Sequence, residues 1–453
     1  MTRKFKTANY EETLNLKVSL SEVLPPEHFA RFTVDIVSQP DLSKIYQQYK
    51  DEGAPPYAPE VMLGLLFYGY ATGVYSSRQI ERATYESIPF RFISGDRHPD
   101  HDTIATFRKR FLPEIQELFG QILLIAQAMG MLRLGNISLD GSKIHADASK
   151  SKAISHKRLL AIEAHLQQQV AELMVLAEVA DKSVIPEKMN INDEIARREQ
   201  RLTQLAEAKK VLEQRAQARY EAEKAEYDEK IRQREAQAAK KGKKPGGRPP
   251  QPPTAGPRDK DPYNFTDPES AIMKNPNNKG FDQHYNVQVA VEQKSLLIVA
   301  PTLSNNPTDR RQALPTVDAI APALGTPEAA ALDAGYWSEF NVNGLKARGI
   351  DPYIATGREP HHQNWQTYFA RQPEPPAANA SAMEKMAYKL RTDIGQAIYR
   401  LRKYTVEPVI GIIKEVLGFR QFSLRGLSAA AGEWVLVCLA FNLKRLHTLR
   451  FNS

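Results

Sequence analysis

Hydrophobic positions along this chain fall into two rhythms, one of period two and one of helical period. Tyr285, Val287, Val289 and Val291 alternate with Asn286, Gln288, Ala290 and Glu292, the mark of a strand with one face toward water. Apolar runs at 296–300, 329–333 and 353–356 predict three further strands, with helices over 312–324 and 339–347 between them. Residues 137–146, ISLDGSKIHA, form another strand-like run well upstream. These elements predict an α/β core in which a mixed sheet is flanked by helices. Helical patterns govern most of the rest, including 59–71, 76–84 and 104–112 before the first strand and 383–402 and 431–446 after the last. Within residues 402–425 a helix follows Thr405 as its cap, with Pro408 in its first turn and Gly418 at its end; Arg402 sits just before it, and Arg420 and Arg425 follow it. Its apolar positions are Val409, Ile412, Ile413, Val416 and Leu417.

The composition shifts between about residues 150 and 260. Leu159, Ile162, Leu166, Val170, Leu173 and Leu176 mark one helix; Ile191, Ile195, Leu202, Leu205 and Leu212 mark a second, running on to about 239. With a turn around Pro186 this reads as an antiparallel helical hairpin or coiled coil, its longer arm spanning roughly 70 Å at about 1.5 Å per residue. The stretch KKGKKPGGRPPQPPTAGPRDK that follows reads as a flexible linker. Strand signals resume beyond it, so the hairpin reads as an insertion. The organisation expected is a helical N-terminal domain at 1–135, an α/β core made of 136–150 and 261–453, and an inserted hairpin at 151–260. Residues 357–382 are polar and Pro-rich, as in a loop.

A net charge of +8 and a sequence pI of about 9.2 favour a polyanionic partner. The single cysteine, Cys438, excludes a disulfide framework within one chain, and no Cys/His set has zinc spacing. MTRKFKTANY lacks the apolar core of a signal peptide, and the apolar stretch 434–441 is too short to cross a bilayer, so no membrane is expected and the chain reads as soluble and intracellular. In the N-terminal part Arg108, Lys109 and Arg110 follow PDHDT directly on a short helix. Short basic helices suit a helix-turn-helix-like DNA-binding module; a plain bundle with a basic face reads equally well. His101 and Asp102 are either ligands or, for the aspartate, a helix cap.

The chemistry is concentrated in isolated acids. Asp140 lies inside the apolar run 137–146, Asp333 ends the small-residue run AAALDAG, and Glu407 heads the helix that also carries Lys414 about 10 Å away on the same face. Singly, each reads as a turn residue or a solvated charge. As a set of three they suggest a constellation, because carboxylates brought together repel unless a divalent cation neutralises them, and oxygen donors suit magnesium or manganese. Asp147 is a further acid, or a turn residue. Trp337 follows Asp333 by four positions and would either stack on an unpaired base or pack in the core.

PDHDTIATFRKRF, SLDGSKIHADASK, FTDPESAIMK with GFDQHYNVQVAV, LDAGYWS, and TVEPVIGIIKEVLGFRQFSLRG with EWVLVCLAFNLKRL together carry a resemblance. The chain resembles the DDE transposases of bacterial insertion sequences, with an RNase H-like catalytic domain behind a helical N-terminal domain. The resemblance covers nearly the whole chain outside the charged insertion and the Pro-rich loop. It implies that Asp140, Asp333 and Glu407 are the three catalytic, metal-holding acids. It assigns DNA contacts to Tyr399, Arg402 and Lys414, the Tyr, Arg and Lys of the pattern around the last acid. Arg402 precedes Glu407 by five residues where the commonest spacing is four, which leaves Lys403 as a second candidate. The resemblance further implies two Mg²⁺ or Mn²⁺ ions, double-stranded DNA (terminal inverted repeats and target) as partner, a homodimer on that DNA, and a cytoplasmic, nucleoid-associated place in a bacterium. Competing readings are a hydrolysis-only nuclease of the same fold and a decayed or repurposed transposase that only binds DNA.

Overall fold

The structure is a computed structural model of the chain. It describes residues 19–49, 55–180, 190–241, 246, 248–275, 280–357, 374–377 and 379–451. The turn expected at Pro186, the start of the linker and much of the Pro-rich loop at 357–382 lie outside the described residues, as does the N-terminal segment. The strands are β1 (Ile137–His145), β2 (Ala153–Ser155), β3 (Pro262–Asn264), β4 (Ala271–Lys274), β5 (Phe281–Glu292), β6 (Ile298–Ser304), β7 (Ala329–Leu332) and β8 (Asp351–Ile354). The chain divides into two compact units, residues 1–144 with 285–453, and residues 145–284.

In the first unit the strand order is β6–β5–β1–β7–β8. β1 runs parallel to β7, with Ile137 opposite Ala330 and Leu139 opposite Leu332, and β7 runs parallel to β8. β5 and β6 are antiparallel, so the sheet is mixed. β7 is Ala-Ala-Ala-Leu and buried throughout, as a central strand covered on both faces requires. β5 differs from its expected half-exposed form: Asn286 and Gln288 are as buried as the valines between them. Its polar positions meet protein instead of water. Leu296 takes φ +61° in the turn after β5, and β6 accordingly begins at Ile298, later than its hydrophobic run suggests.

The helices flank this sheet. The helix expected over 312–324 is two pieces, Ala313–Asp318 and a short turn Pro322–Leu324, because Pro322 has no N–H with which to continue the ladder. Residues 383–402 also divide, into Ala382–Arg391 with a Ser381/Glu384 capping box and Asp393–Gly411 capped by Thr392. The helix Leu427–Phe451 is apolar nearly all round and packs on β6 and on the N-terminal helices Pro59–Ala71 and Leu112–Ala128. It is long and apolar enough to cross a membrane, yet 72% of its most apolar window is buried inside the protein, as in a core helix. Asn442 fixes it to the sheet by accepting from Ile298 N at 2.9 Å and donating to Ile298 O at 2.7 Å.

The second unit holds the helical hairpin. Helices His156–Ala180 and Ile191–Lys241 pack together, with Leu159, Leu205, Ala208 and Leu212 buried alongside Tyr263 of β3. At about 1.5 Å per residue the 51-residue second helix is close to the length read from the sequence. Arg219 pairs with Asp261 at 2.9 Å, and Lys209 with Glu163 at 3.2 Å. β2 pairs with β3, and β4 pairs with the first residues of β5.

Candidate active site

β1 carries Asp140 at the point where its buried pattern opens, and the Gly141 N–H closes on Asp140 Oδ1 at 2.8 Å. Arg402, buried on the helix Asp393–Gly411, reaches this carboxylate. Its Nη1 donates to Asp140 Oδ2 at 3.1 Å and its Nη2 donates to Glu407 Oε1 at 2.9 Å. Glu407 keeps nearly half its side chain in solvent, whereas Asp140 is mostly covered. Asp333 ends β7, caps the turn Ala334–Tyr336 and accepts from Gly335 N at 2.8 Å.

The electrostatics follow from burial. Burial pushes the Asp140 carboxyl up to about 7; Arg402 opposes the shift, and the charges of Asp333 and Glu407 add to it. Burial likewise raises Asp333, against the Gly335 N–H and Arg402, with Asp309 adding to the rise. At both acids burial outweighs the opposing charge of Arg402.

The helix holding Glu407 begins earlier than its sequence suggests. Thr392 is the cap and Thr405 lies mid-helix, its Oγ1 at 2.8 Å from both Ser138 Oγ on β1 and Leu401 O. Arg402 is thus inside the helix, on the turn before Glu407, and Pro408 is internal, with no N–H for the carbonyl four residues back. A π turn, Ile412–Val416, follows, so Ile412 and Val416 face solvent while Val409, Ile413 and Leu417 stay buried. Lys414 sits in that turn. Its Nζ donates to Ser142 Oγ and, at 3.2 Å, to the Lys143 carbonyl, and burial lowers its pKa. Gly418 ends the segment at φ +77°.

Of the other residues singled out, Tyr399 lies with its ring centre 6.0 Å from the Arg402 guanidinium, and Trp337 is half-buried. Lys403, the alternative to Arg402, is exposed. Asp147 falls in the second unit. Arg108 turns away from solvent: it is buried and donates to Tyr70 OH at 2.8 Å and Tyr75 O at 3.2 Å, because alternating the basic run over a helix points one member inward. Lys109 is exposed, and Arg110 donates to Gln48 O at 2.5 Å. Asp100, not Asp102, caps that helix, accepting from Thr103 N at 2.7 Å, and His101 bonds Glu81 at 2.7 Å.

A further acid, Asp309, is not singled out by the sequence. It accepts at Oδ1 from Asn286 Nδ2 and Gln288 Nε2, both at 2.7 Å. Tyr336 OH in turn donates to Gln288 Oε1. Two amides on a strand flanked by sheet on both sides were the available signal.

All-oxygen carboxylate donors whose protonation is favoured by burial fit a hard divalent cation in chemistry. Among the described residues no three His, Cys, Asp or Glu side chains stand ready around one point, since Arg402 lies between Asp140 and Glu407. Two models of known families match segments of the chain. A model described as "Transposase domain (DUF772)" matches residues 18–110, and one described as "Transposase DDE domain" matches residues 370–447. Over these two segments the chain is similar to the DDE transposases of insertion sequences. The second match covers Tyr399, Arg402, Glu407 and Lys414, while Asp140 and Asp333 lie outside both matched segments. No curated protein and no solved structure is similar enough to the chain to count as a match.

Proposed function

We propose that this protein is a transposase that cuts double-stranded DNA at the ends of an insertion sequence and joins the 3′ ends to target DNA by metal-dependent phosphoryl transfer. The observation that carries the reading is the meeting of Asp140, from β1, and Glu407, from a distant helix, on the two arms of one buried guanidinium, with Asp333 influencing both Asp140 and Arg402. The strand order supports an RNase H-like core. Counted within its unit it reads third, second, first, fourth, fifth, with an antiparallel β5/β6 pair and parallel β1, β7 and β8. The acids then lie on the first strand, after the fourth, and on a helix beyond the fifth.

Asp140, Asp333 and Glu407 would hold the cations, two Mg²⁺ or Mn²⁺. Bound there, the metal supplies Lewis-acid stabilisation of phosphoryl oxygens and lowers the pKa of the attacking water or 3′-hydroxyl. Arg402 balances two of the acids beforehand and offers a planar fork to a backbone phosphate afterwards. Tyr399 flanks that fork. Lys414, moored to β1 just beyond Asp140, brings a point charge to a neighbouring phosphate. Trp337 presents a ring to an unpaired base beside Asp333. Lys109 and Arg110 contact the DNA backbone from the N-terminal helices, and Arg108 supports them from within. One P–O bond forms to the attacking oxygen as the bond to the departing 3′ oxygen breaks, so no protein side chain is consumed. Two copies, one per DNA end, act together in the bacterial cytoplasm on nucleoid DNA.

The test uses purified protein, Mg²⁺ and labelled duplexes carrying the element's ends. Wild type is expected to nick them and to join 3′ ends to a target plasmid. Asp140→Asn, Asp333→Asn and Glu407→Gln should each lose cleavage by at least about 10³-fold, a loss on the scale of removing transition-state charge stabilisation, with DNA binding kept. Cleavage without joining assigns a hydrolytic nuclease; full cleavage by any of the three variants overturns the site.

A further inference from the structure

Asp309 does not behave as a turn aspartate. Residues of that kind bond their own backbone, as neighbouring Asn306 does by accepting from Thr308 N at 3.0 Å. Asp309 instead directs its carboxylate to the sheet. Oδ1 receives both amide N–H groups of Asn286 and Gln288, and Gln288 Nε2 also lies 3.2 Å from Asn286 Oδ1. Gln288 is itself fixed, its side chain by Tyr336 OH and its carbonyl by Trp434 Nε1 at 3.2 Å. A carboxylate gripped this way at one oxygen has a set orientation. Its other oxygen, Oδ2, accepts no hydrogen bond among the described residues.

Two glycines show where Asp309 stands. A methyl group on Gly141, next to Asp140, would collide with Gln288 Nε2 and come within 2.8 Å of Asp309 Oδ1. A methyl group on Gly335, two residues past Asp333, would lie 3.0 Å from Asp333 Oδ1 and 3.8 Å from Asp309 Oδ2. Asp309 therefore touches the backbone beside the first acid with its held oxygen and faces the second acid's corner with its free one.

We propose that Asp309 is a fourth acidic residue of this centre, a positioning residue whose fixed charge, set on the β5 amides, strengthens the hold of the Asp333 side on a divalent cation. The inference rests on the metal-dependent reading above. Asp309→Asn separates charge from architecture, because its amide oxygen can still accept from Asn286 and Gln288 while the second oxygen becomes a neutral NH₂. A structural role would survive that change; a charge role would not.

The experiment is Mn²⁺ binding to the full chain without DNA, followed by calorimetry and by the electron paramagnetic resonance of free Mn²⁺, with thermal melts in EDTA as a fold control. Asp309→Asn is expected to melt with wild type yet bind Mn²⁺ about tenfold or more weakly, the usual cost of losing a group that supports metal ligands. Asp140→Asn serves as the reference loss. If Asp309→Asn binds as wild type does while Asp140→Asn is impaired, Asp309 is only architectural and the inference is overturned. If wild type itself takes up no Mn²⁺, the metal-dependent reading fails and takes this inference with it. Should Asp309→Asn melt early, Asn286→Ala provides the second arm: removing one of the two donors to Oδ1 while leaving the charge must cost less Mn²⁺ affinity than Asp309→Asn.

Discussion

Arg402 Nη1 stands 3.1 Å from Asp140 Oδ2 while the other arm of the same guanidinium holds Glu407 at 2.9 Å. The fork spans an acid from the sheet and an acid from the helix, so the metal-free protein keeps its acids together with its own cation. Any incoming metal must compete with this arrangement for the same oxygens.

Replacing Arg402 with Gln therefore has opposite effects on stability and on metal binding. Without metal, Asp140 and Glu407 lose their counter-charge, and unfolding in urea with EDTA should become easier by about 1–3 kcal/mol. Mn²⁺ should bind the variant more tightly than wild type, because no guanidinium has to be displaced, while DNA cleavage slows for want of a phosphate clamp. Weaker Mn²⁺ binding by Arg402→Gln would show that the arginine assists the metal instead of competing with it.

The raised Asp140 carboxyl sets a pH dependence of definite sign. Burial, with Asp333 and Glu407 adding and Arg402 opposing, raises it to about 7 in all; in the unfolded chain an aspartate titrates near 4. Between those values the folded protein holds a proton that the unfolded chain releases. The contribution to stability is thus favourable below about pH 4 and is lost as pH rises to about 7, a few kcal/mol in all. Measured in EDTA, the stability of wild type relative to Asp140→Asn should fall across this range. A rise would mean that the Arg402 pair outweighs burial. Asp333, raised in the same direction, leaves a residual slope of the same sign in the variant.

The sheet could be read from the sequence because apolar runs separated by turn residues repeat there, and the acids stood out because each interrupts such a run. The helix start could not. Thr405 and Pro408 have the composition of a helix beginning, but Thr405 is bonded to Ser138 of β1, a contact that no local pattern encodes, and Thr392 caps the helix instead. The π turn is equally silent in sequence, since it changes which of Ile412, Ile413 and Val416 is buried without changing their spacing. Asn286 and Gln288 looked like a wet face because polar alternation is the same whether the polar side meets water or an enclosed carboxylate. Arg108, Lys109 and Arg110 looked alike as a run; only packing distinguishes the buried one.

Lys414 offers a charge whose role can be read from salt dependence. Lys414→Ala should weaken binding to duplexes of any sequence and reduce the slope of log affinity against log salt by about 1, the signature of one lost phosphate contact. Filter binding at several salt concentrations measures it. An unchanged slope would confine Lys414 to securing Ser142 and the Lys143 carbonyl.

Arg108 leads to a prediction about folding instead of DNA. It donates to Tyr70 OH at 2.8 Å; Tyr70 donates to Glu433 Oε1 at 3.1 Å; and the fully buried Glu433 also accepts from Ser423 N at 2.9 Å and Leu424 N at 3.0 Å. The chain of bonds joins the helices His101–Arg110, Pro59–Ala71 and Leu427–Phe451. Removing the cation leaves the buried Glu433 carboxylate its hydrogen bonds but no counter-charge, and Tyr70 OH without its donor, so Arg108→Ala should lower unfolding free energy by about 3–5 kcal/mol. Glu433→Gln keeps an acceptor for Tyr70 and removes the charge, so the double variant should lose less than the sum of the two single losses. Lys109→Ala, on the exposed side of the same helix turn, should stay within about 0.5 kcal/mol of wild type. Urea midpoints for the four proteins decide the matter: an Arg108→Ala protein as stable as wild type but poor at binding DNA would put the guanidinium on the DNA-facing surface, where its burial and its bond to Tyr70 say it is not.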